Sequence, residues 1–147
     1  MTHGSPSTAP SGLMSELMFR PLPYEVDFTG FVSNTVAPRW MEALRVCLMD
    51  EHFPHFDNGA PEHLSVIAET RVKYVKPIRY GDLIHGRAWI TSASHSRWIV
   101  AFTFKRDGSG EEVLRGEQTG AFISARTFAP IRIPAEIRRS LTPFAFP

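Results

Sequence analysis

Residues 38–51 most constrain what this chain can fold into. Trp40, Met41, Ala43, Leu44, Cys47 and Leu48 cover most of the circumference of a helix, and Arg39, Glu42 and Arg45 leave only a narrow polar stripe. A helix that is apolar most of the way round has to be enclosed rather than laid on a surface. Asn34 or Thr35 can cap it and Pro38 suits its first turn. Pro54 predicts its end near His52. The rest of the chain must therefore supply something that wraps this helix.

Strand patterns supply it. Ahead of the helix, ELMFRPLPYEVDF contains Pro21 and Pro23, which cannot donate to a ladder, so that strand is irregular or at an edge. After it, residues 64–77 alternate, with Leu64, Val66, Ala68, Thr70, Val72 and Tyr74 on one face and Arg71 and Lys73 on the other. Pro77 and the Tyr80-Gly81-Asp82 turn lead into LIHGRAWITSA. SRWIVAFTFK then aims Trp98, Val100, Phe102 and Phe104 inward. RDGSGEE reads as a hairpin loop before the last long strand, VLRGEQTGAFISARTF. IPAEIRRSL reads as a short terminal helix with Pro134 in its first turn. Short turns make successive strands antiparallel neighbours. The expectation is an α+β fold, a five-stranded antiparallel sheet wrapped around one long helix. Its open edges predict pairing across a two-fold axis, so a dimer at least.

A length of 147 residues suits one domain, taken as 13–147, behind a disordered tail over 1–12 rich in Pro, Ser and Gly. Apolar residues make up 43%, enough for a core that buries roughly two-thirds of the unfolded surface. Lys plus Arg is 16 against 15 for Asp plus Glu, which gives no broad positive field and argues against a nucleic-acid partner. Cys47 is the single cysteine, so no internal disulfide forms; it fits a reducing compartment and reads as a buried core thiol. No stretch approaches the roughly 20 apolar residues of a membrane helix, and no secretory leader is evident. A cytoplasmic protein with no membrane partner is expected.

Asp27-Phe-Thr-Gly30-Phe-Val-Ser-Asn34, followed by Arg39-Trp40-Met41-Glu42-Ala43-Leu44-Arg45, resembles the 4-hydroxybenzoyl-CoA thioesterase branch of the hotdog superfamily. Val72-Lys-Tyr-Val-Lys-Pro77-Ile-Arg-Tyr-Gly81-Asp82 is similar to that family's strand ending in Pro and then Tyr-Gly-Asp. Ile133-Pro-Ala-Glu-Ile137 looks like its closing segment. The resemblance covers about residues 16–141. It implies a hotdog fold, dimers or tetramers, and active sites at subunit interfaces. The chain departs from the family at Phe31, Ser33 and Ala37, where many members carry His, Asn and Tyr. It also has Ser94-His95-Ser96-Arg97 where the 4-hydroxybenzoyl enzyme carries a basic cluster for nucleotide phosphate. An acyl group on a carrier protein is therefore an alternative to one on coenzyme A.

Thioester hydrolysis needs a carboxylate to attack or to activate water, and a donor for the oxyanion. Asp27, just before Gly30, is the carboxylate, and the resemblance implies a role as nucleophile or general base. The competing reading is a turn residue. A free N–H near Asn34, at the helix N-terminus, is the oxyanion donor. Phe31, Val32, Ser33, Trp40 and Tyr74, with Phe28, are candidates for the substrate pocket. Arg71, Lys73, Lys76, Arg79 and Arg97 could line a phosphate site, with Arg97 and Lys73 leading; otherwise they form a solvated face. Glu69 reads as an exposed sheet charge, and Glu42 as a partner of Arg45 or Arg39. His52, His55 and His63 share no metal-ligand spacing, and no G-x-S-x-G is present. No cofactor is expected beyond the coenzyme A moiety of a substrate. Two rivals remain. One is a hotdog dehydratase, which needs a His with an acidic partner. The other is a non-catalytic hotdog that binds acyl thioesters or only assembles.

Overall fold

The computed structural model describes residues 13–53 and 62–141. The elements follow in the order β1 (Met14–Phe19), a 3-10 turn (Pro23–Glu25), α1 (Val36–His52), β2 (His63–Tyr74), β3 (Ile84–Ala93), β4 (Arg97–Arg106), β5 (Glu112–Ser124), β6 (Pro130–Ile131) and α2 (Ala135–Leu141). All pairings are antiparallel. The sheet order is β1-β3-β4-β5-β2, with β6 attached to β5 as a sixth, two-residue strand. The tail over 1–12, Pro54 and His55 lie outside the described residues.

β1 is an edge strand and stops at Phe19, ahead of Pro21 and Pro23. α1 begins at Val36, two residues before Pro38, and ends at His52 as expected. Thr35 is its N-cap, but its side chain makes no capping bond. Trp40, Met41, Leu44 and Leu48 are buried against a sheet face built from Ile84, Ala88, Val100, Phe102 and Phe104. The inward set on β4 is the predicted one: Trp98, Val100, Phe102 and Phe104 are all buried. Glu42 meets Arg45 at 3.7 Å on the polar stripe, and Glu69 is half-exposed beside Arg71.

Three expectations are corrected. β2 and β3 are not neighbours: β2 pairs with β5 at one edge, while β3 lies between β1 and β4. Residues 75–83 are a crossover and not a hairpin. The Val32 N–H donates to Ile78 O at 2.7 Å, so this segment spends its backbone bonds on the lead-in to α1. Second, the alternation on β2 breaks. Ile67 faces Gly120 and Glu69 faces Thr119, which leaves Ala68 bulged out of the ladder. One extra residue reverses the facing of everything before it. Thr70, Val72 and Tyr74 are therefore inward with Ile67, whereas Leu64 and Val66 lie on the outer face. Third, Cys47 is only partly buried, at the flank of α1, where its Sγ lies 3.1 Å from Glu51 Oε1. Burial and the nearby carboxylate push that thiol up, away from thiolate reactivity. No helix among the described residues is long and apolar enough to cross a membrane.

The inward face of β5 has to pass under the Trp98 indole, and Gly120 makes room for it. A Cβ on Gly120 would come within 1.9 Å of Trp98 Cε2 and Cζ2. Gly120→Ala should destabilise the fold by about 1–3 kcal/mol through overpacking. Urea unfolding should show a lower midpoint at unchanged slope. Gly120→Ala combined with Trp98→Phe should cost clearly less than the sum of the two single changes. Additive costs would show that Trp98 does not require the glycine.

Candidate active site

The lead-in to α1 is a tight hairpin. Gly30 N–H donates to Asp27 O at 3.0 Å and Asp27 N–H to Phe31 O at 2.9 Å, while Gly30 sits at φ +84°. This is a turn closed by a left-handed residue, where glycine carries no Cβ penalty. A Cβ at Gly30 would meet nothing within 4 Å, so conformation and not space selects glycine. The turn fixes Asp27. Its Oδ1 accepts the Thr29 N–H at 2.9 Å and also the Thr29 hydroxyl. Oδ2 has no partner among the described residues. The Thr29 hydroxyl bond, then the Thr29 N–H bond, holds the Asp27 carboxyl below its ordinary value, with burial acting weakly in the other direction.

Past the turn, Ser33 N–H donates to Glu25 O at 2.8 Å, and Ser33 O takes the Val36 N–H at 3.0 Å. Ser33 Oγ accepts from the Thr35 N–H at 3.3 Å and lies 2.9 Å from Thr35 Oγ1. The Asn34 N–H donates to nothing among the described residues. The Asn34 carbonyl accepts the Tyr74 hydroxyl at 2.6 Å, which ties the start of α1 to the end of β2. Burial raises the Tyr74 pKa, so the phenol stays a donor.

These groups face one cleft of about 330 Å³, lined by Asp27, Thr29, residues 31–34, Val36, Ala37, Trp40, residues 74–78 and Leu114. Val36, Ala37, Trp40, Ile78 and Leu114 form a buried apolar floor. The Trp40 ring is braced by Phe19, stacked at 4.9 Å. The far wall is the crossover, held by Arg106 at the end of β4. Its guanidinium pairs with Asp82, donates to Pro77 O at 3.0 Å and lies 3.5 Å from Glu111. Asp82 also accepts the Arg79 N–H at 2.8 Å. Asp82 of the Tyr-Gly-Asp sequence thus braces the wall from behind.

Of the residues expected from sequence, the cleft gathers Asp27, Asn34, Phe31, Val32, Ser33, Trp40 and Tyr74. Lys73 and Arg97 are not brought to it within one chain. Lys73 pairs with Arg115 on the outer face. Arg97 pairs with Ala121, while the cleft end of β5 is Leu114. Seven residues of strand separate the two, about 23 Å at roughly 3.3 Å per residue. Phe28, expected in the pocket, is 99% exposed at the turn tip and does not line the cleft. Thr29, Ile78, Leu114 and Arg106 were not anticipated. For Thr29 a signal existed, because Asp-x-Thr before Gly is turn chemistry that bonds the carboxylate. His52 Nε2 lies 2.9 Å from Met14 O, and the His63 ring meets Phe122 edge-on at 5.9 Å.

A long helix enclosed by an antiparallel sheet, with a cleft at the helix N-terminus, is the hotdog architecture. Residues 21–141 match the family model described as the thioesterase-like superfamily, and the chain belongs to that superfamily. Among solved structures, a predicted thioesterase from Bacillus stearothermophilus is 22% identical, with 90% of this chain and 97% of that one covered and a TM-score of 0.77. The DHNA-CoA thioesterase from Staphylococcus aureus is 18% identical, with 88% and 89% covered and a TM-score of 0.78. The 12:0-ACP thioesterase from Umbellularia californica is 19% identical, with 92% of this chain and 52% of that one covered and a TM-score of 0.81. At these identities the likeness is one of fold.

Removing the hydroxyl that lowers the Asp27 pKa should raise it. In Thr29→Val the Asp27 carboxyl, followed by NMR titration, should move upward toward the ordinary aspartate value of about 4. An unchanged midpoint would mean that the Thr29 hydroxyl does not set the charge of Asp27.

Proposed function

We propose that this chain hydrolyses acyl or aroyl thioesters carried on coenzyme A or on an acyl carrier protein. The observation that carries the proposal is the pairing, in one cleft with an apolar floor, of an ionised Asp27 and the Asn34 N–H at a helix N-terminus, with Oδ2 and that N–H both unpartnered among the described residues. The acyl group rests on Ala37, Trp40, Ile78 and Leu114, with Phe31, Val32, Ser33 and Tyr74 around the thioester. A volume of about 330 Å³ is at the small end of small-molecule sites, which run from about 300 to 1,000 Å³. It suits the acyl group and thioester, with the carrier outside. The similar structures include one named for a CoA ester and one named for an ACP ester, so both carriers stay in the proposal.

The chemistry follows from charge. Attack on the thioester carbon, by water that gives its proton to Asp27 or by Asp27 itself, moves negative charge onto the carbonyl oxygen. The Asn34 N–H and the positive end of α1 stabilise that charge. Collapse then breaks the C–S bond and expels the thiolate, which takes up a proton. If Asp27 attacks directly, water next hydrolyses the mixed anhydride and frees the carboxylate. We propose a homodimer or homotetramer as the working form, in the cytoplasm. Among the described residues β2 is an edge strand of twelve residues with an open backbone edge, and Tyr74 of the cleft ends it.

Asp27→Asn should lower kcat on a panel of CoA and carrier-protein thioesters by about 10²-fold or more. The active form is the carboxylate, whose pKa lies below its ordinary value. Wild-type kcat/KM should therefore stay level from neutral pH down to about pH 5 and fall only near or below about pH 4. Equal rates for the two proteins would remove Asp27 from the reaction. Binding of thioesters with no turnover on any of them would favour the non-catalytic reading.

A further inference from the structure

The acyl cleft is too small for a whole carrier, so the carrier has to leave across the rim. The rim beside Phe31 is residue 79. Phe31 and Arg79 face each other across an isolated antiparallel bridge. Ile78 is buried in the cleft floor, and the next side chain, Arg79, is exposed above it. The Arg79 guanidinium lies over the Phe31 ring, 5.6 Å from its centroid. That contact pre-orients a planar cation whose N–H fork makes no hydrogen bond or ion pair with any described residue; Arg79 uses only its backbone, toward Asp82. The other cations nearby are already matched. Lys76, which lines the cleft, lies 3.8 Å from Glu111. Arg106 is taken by Asp82, Glu111 and the Pro77 carbonyl. Lys73 and Arg97 of the same chain lie off the cleft.

We propose that Arg79, stacked on Phe31 at the rim, binds the phosphate of a phosphopantetheine arm whose thioester end enters the cleft. A free guanidinium fork matches two phosphate oxygens at once, and the aromatic face beneath it leaves that edge for the ligand. Coenzyme A and a loaded carrier protein both present a phosphate at the far end of the same arm. The site therefore selects the phosphorylated arm over free pantetheine, whichever carrier follows. This rests on the thioesterase reading for the identity of the arm, but it is tested by binding, without turnover.

The test compares wild type, Arg79→Met and Arg79→Lys by calorimetry against coenzyme A, a phosphopantetheinylated carrier protein and pantetheine. Arg79→Met keeps an unbranched side chain over Phe31 and removes the charge. It should weaken binding of the phosphorylated ligands about tenfold and leave pantetheine unchanged, with Arg79→Lys in between. Wild-type affinity should also fall with added salt more steeply than that of Arg79→Met. A loss confined to coenzyme A assigns the phosphate to the nucleotide carrier; a loss confined to the carrier protein assigns it to the protein-linked phosphodiester. Unchanged affinity for both, an equal loss for pantetheine, or no binding of either phosphorylated ligand by wild type overturns the proposal. Thermal unfolding of each variant shows whether any loss comes from misfolding. Absence of hydrolysis on every thioester, with the Arg79-dependent difference intact, would remove the thioesterase reading and leave the phosphate site standing.

Discussion

The site can form only because α1 is held without play against the sheet. Met41 and Leu44 are 0% exposed, and Val36 and Leu48 are 1%. Burying side chains of this size contributes about 1.5–3 kcal/mol each. Sliding or turning the helix would give up several of these contacts at once. The consequence is felt at its other end. With the middle of α1 fixed, its first turn cannot drift from the place where β2 stops, and the Tyr74 hydroxyl reaches the Asn34 carbonyl. Trp40 serves both needs: one ring face stacks on Phe19, and the residue also lines the cleft. Core packing and site geometry are thus the same set of contacts.

Polar groups hold what apolar packing cannot. Among the side chains of the crossover over 75–83, Ile78 alone is buried in the core. Arg106 anchors the crossover electrostatically, through Asp82, Glu111 and the Pro77 carbonyl. The Val75 and Lys76 N–H groups both donate to Val113 O, at 3.0 and 3.1 Å. Deeper in, Arg45 reaches Gln118 Oε1 at 2.7 Å, and Gln118 passes its amide to Thr70 at 3.3 Å. Gln118 is 3% exposed, so this chain satisfies a group that would otherwise cost about 1–3 kcal/mol to bury. It also fixes the helix to β5 and β2 by direction as well as by contact. Burial pulls the Arg45 pKa down while Glu42 opposes it, so the cation keeps a partner on each side.

Much of this was legible in the residues. The all-round apolar character of 38–51 announced an enclosed helix, and strict alternation from Trp98 to Phe104 gave the inward face of β4. The resemblance carried by Asp27, Gly30 and Asn34 pointed to the stretch ahead of the helix, where Asp27 and Asn34 line one cleft. Two things could not be read. Alternation on β2 is ambiguous at Ala68, because a bulge leaves no mark in a run of apolar and small residues, and Leu64 and Val66 look like core. Strand order is ambiguous too. Pro77 and Tyr80-Gly81-Asp82 mark a turn, but a turn does not say whether the next strand lies alongside or across the sheet. That choice depends on Val32 and Ile78 meeting, a contact between residues 46 apart in sequence. Charge and strand parity placed Lys73 and Arg97, which a single chain does not bring to the cleft, and the contact of Arg79 with Phe31 depends on the same crossover.

The Thr29 bonds to Asp27 make sense once the cleft is considered full. Empty, the Asp27 carboxylate is exposed, and water alone would keep it ionised at neutral pH. An acyl thioester seated on Ala37, Trp40 and Leu114 would cover it and strip that water. Desolvation favours the neutral acid and would raise the Asp27 pKa just when the proposed mechanism calls for the charge. Two donors on Oδ1 act in the opposite sense, because they bond the charged form and travel with the turn when solvent leaves. Both donors hold Oδ1, which leaves Oδ2 without a partner among the described residues. Their cost is basicity: an acid held low accepts a proton less readily, and covering by substrate restores part of what the turn removes. On the proposed mechanism, the opposed effects of Thr29 and burial would let the same carboxylate stay charged before substrate arrives and react after it.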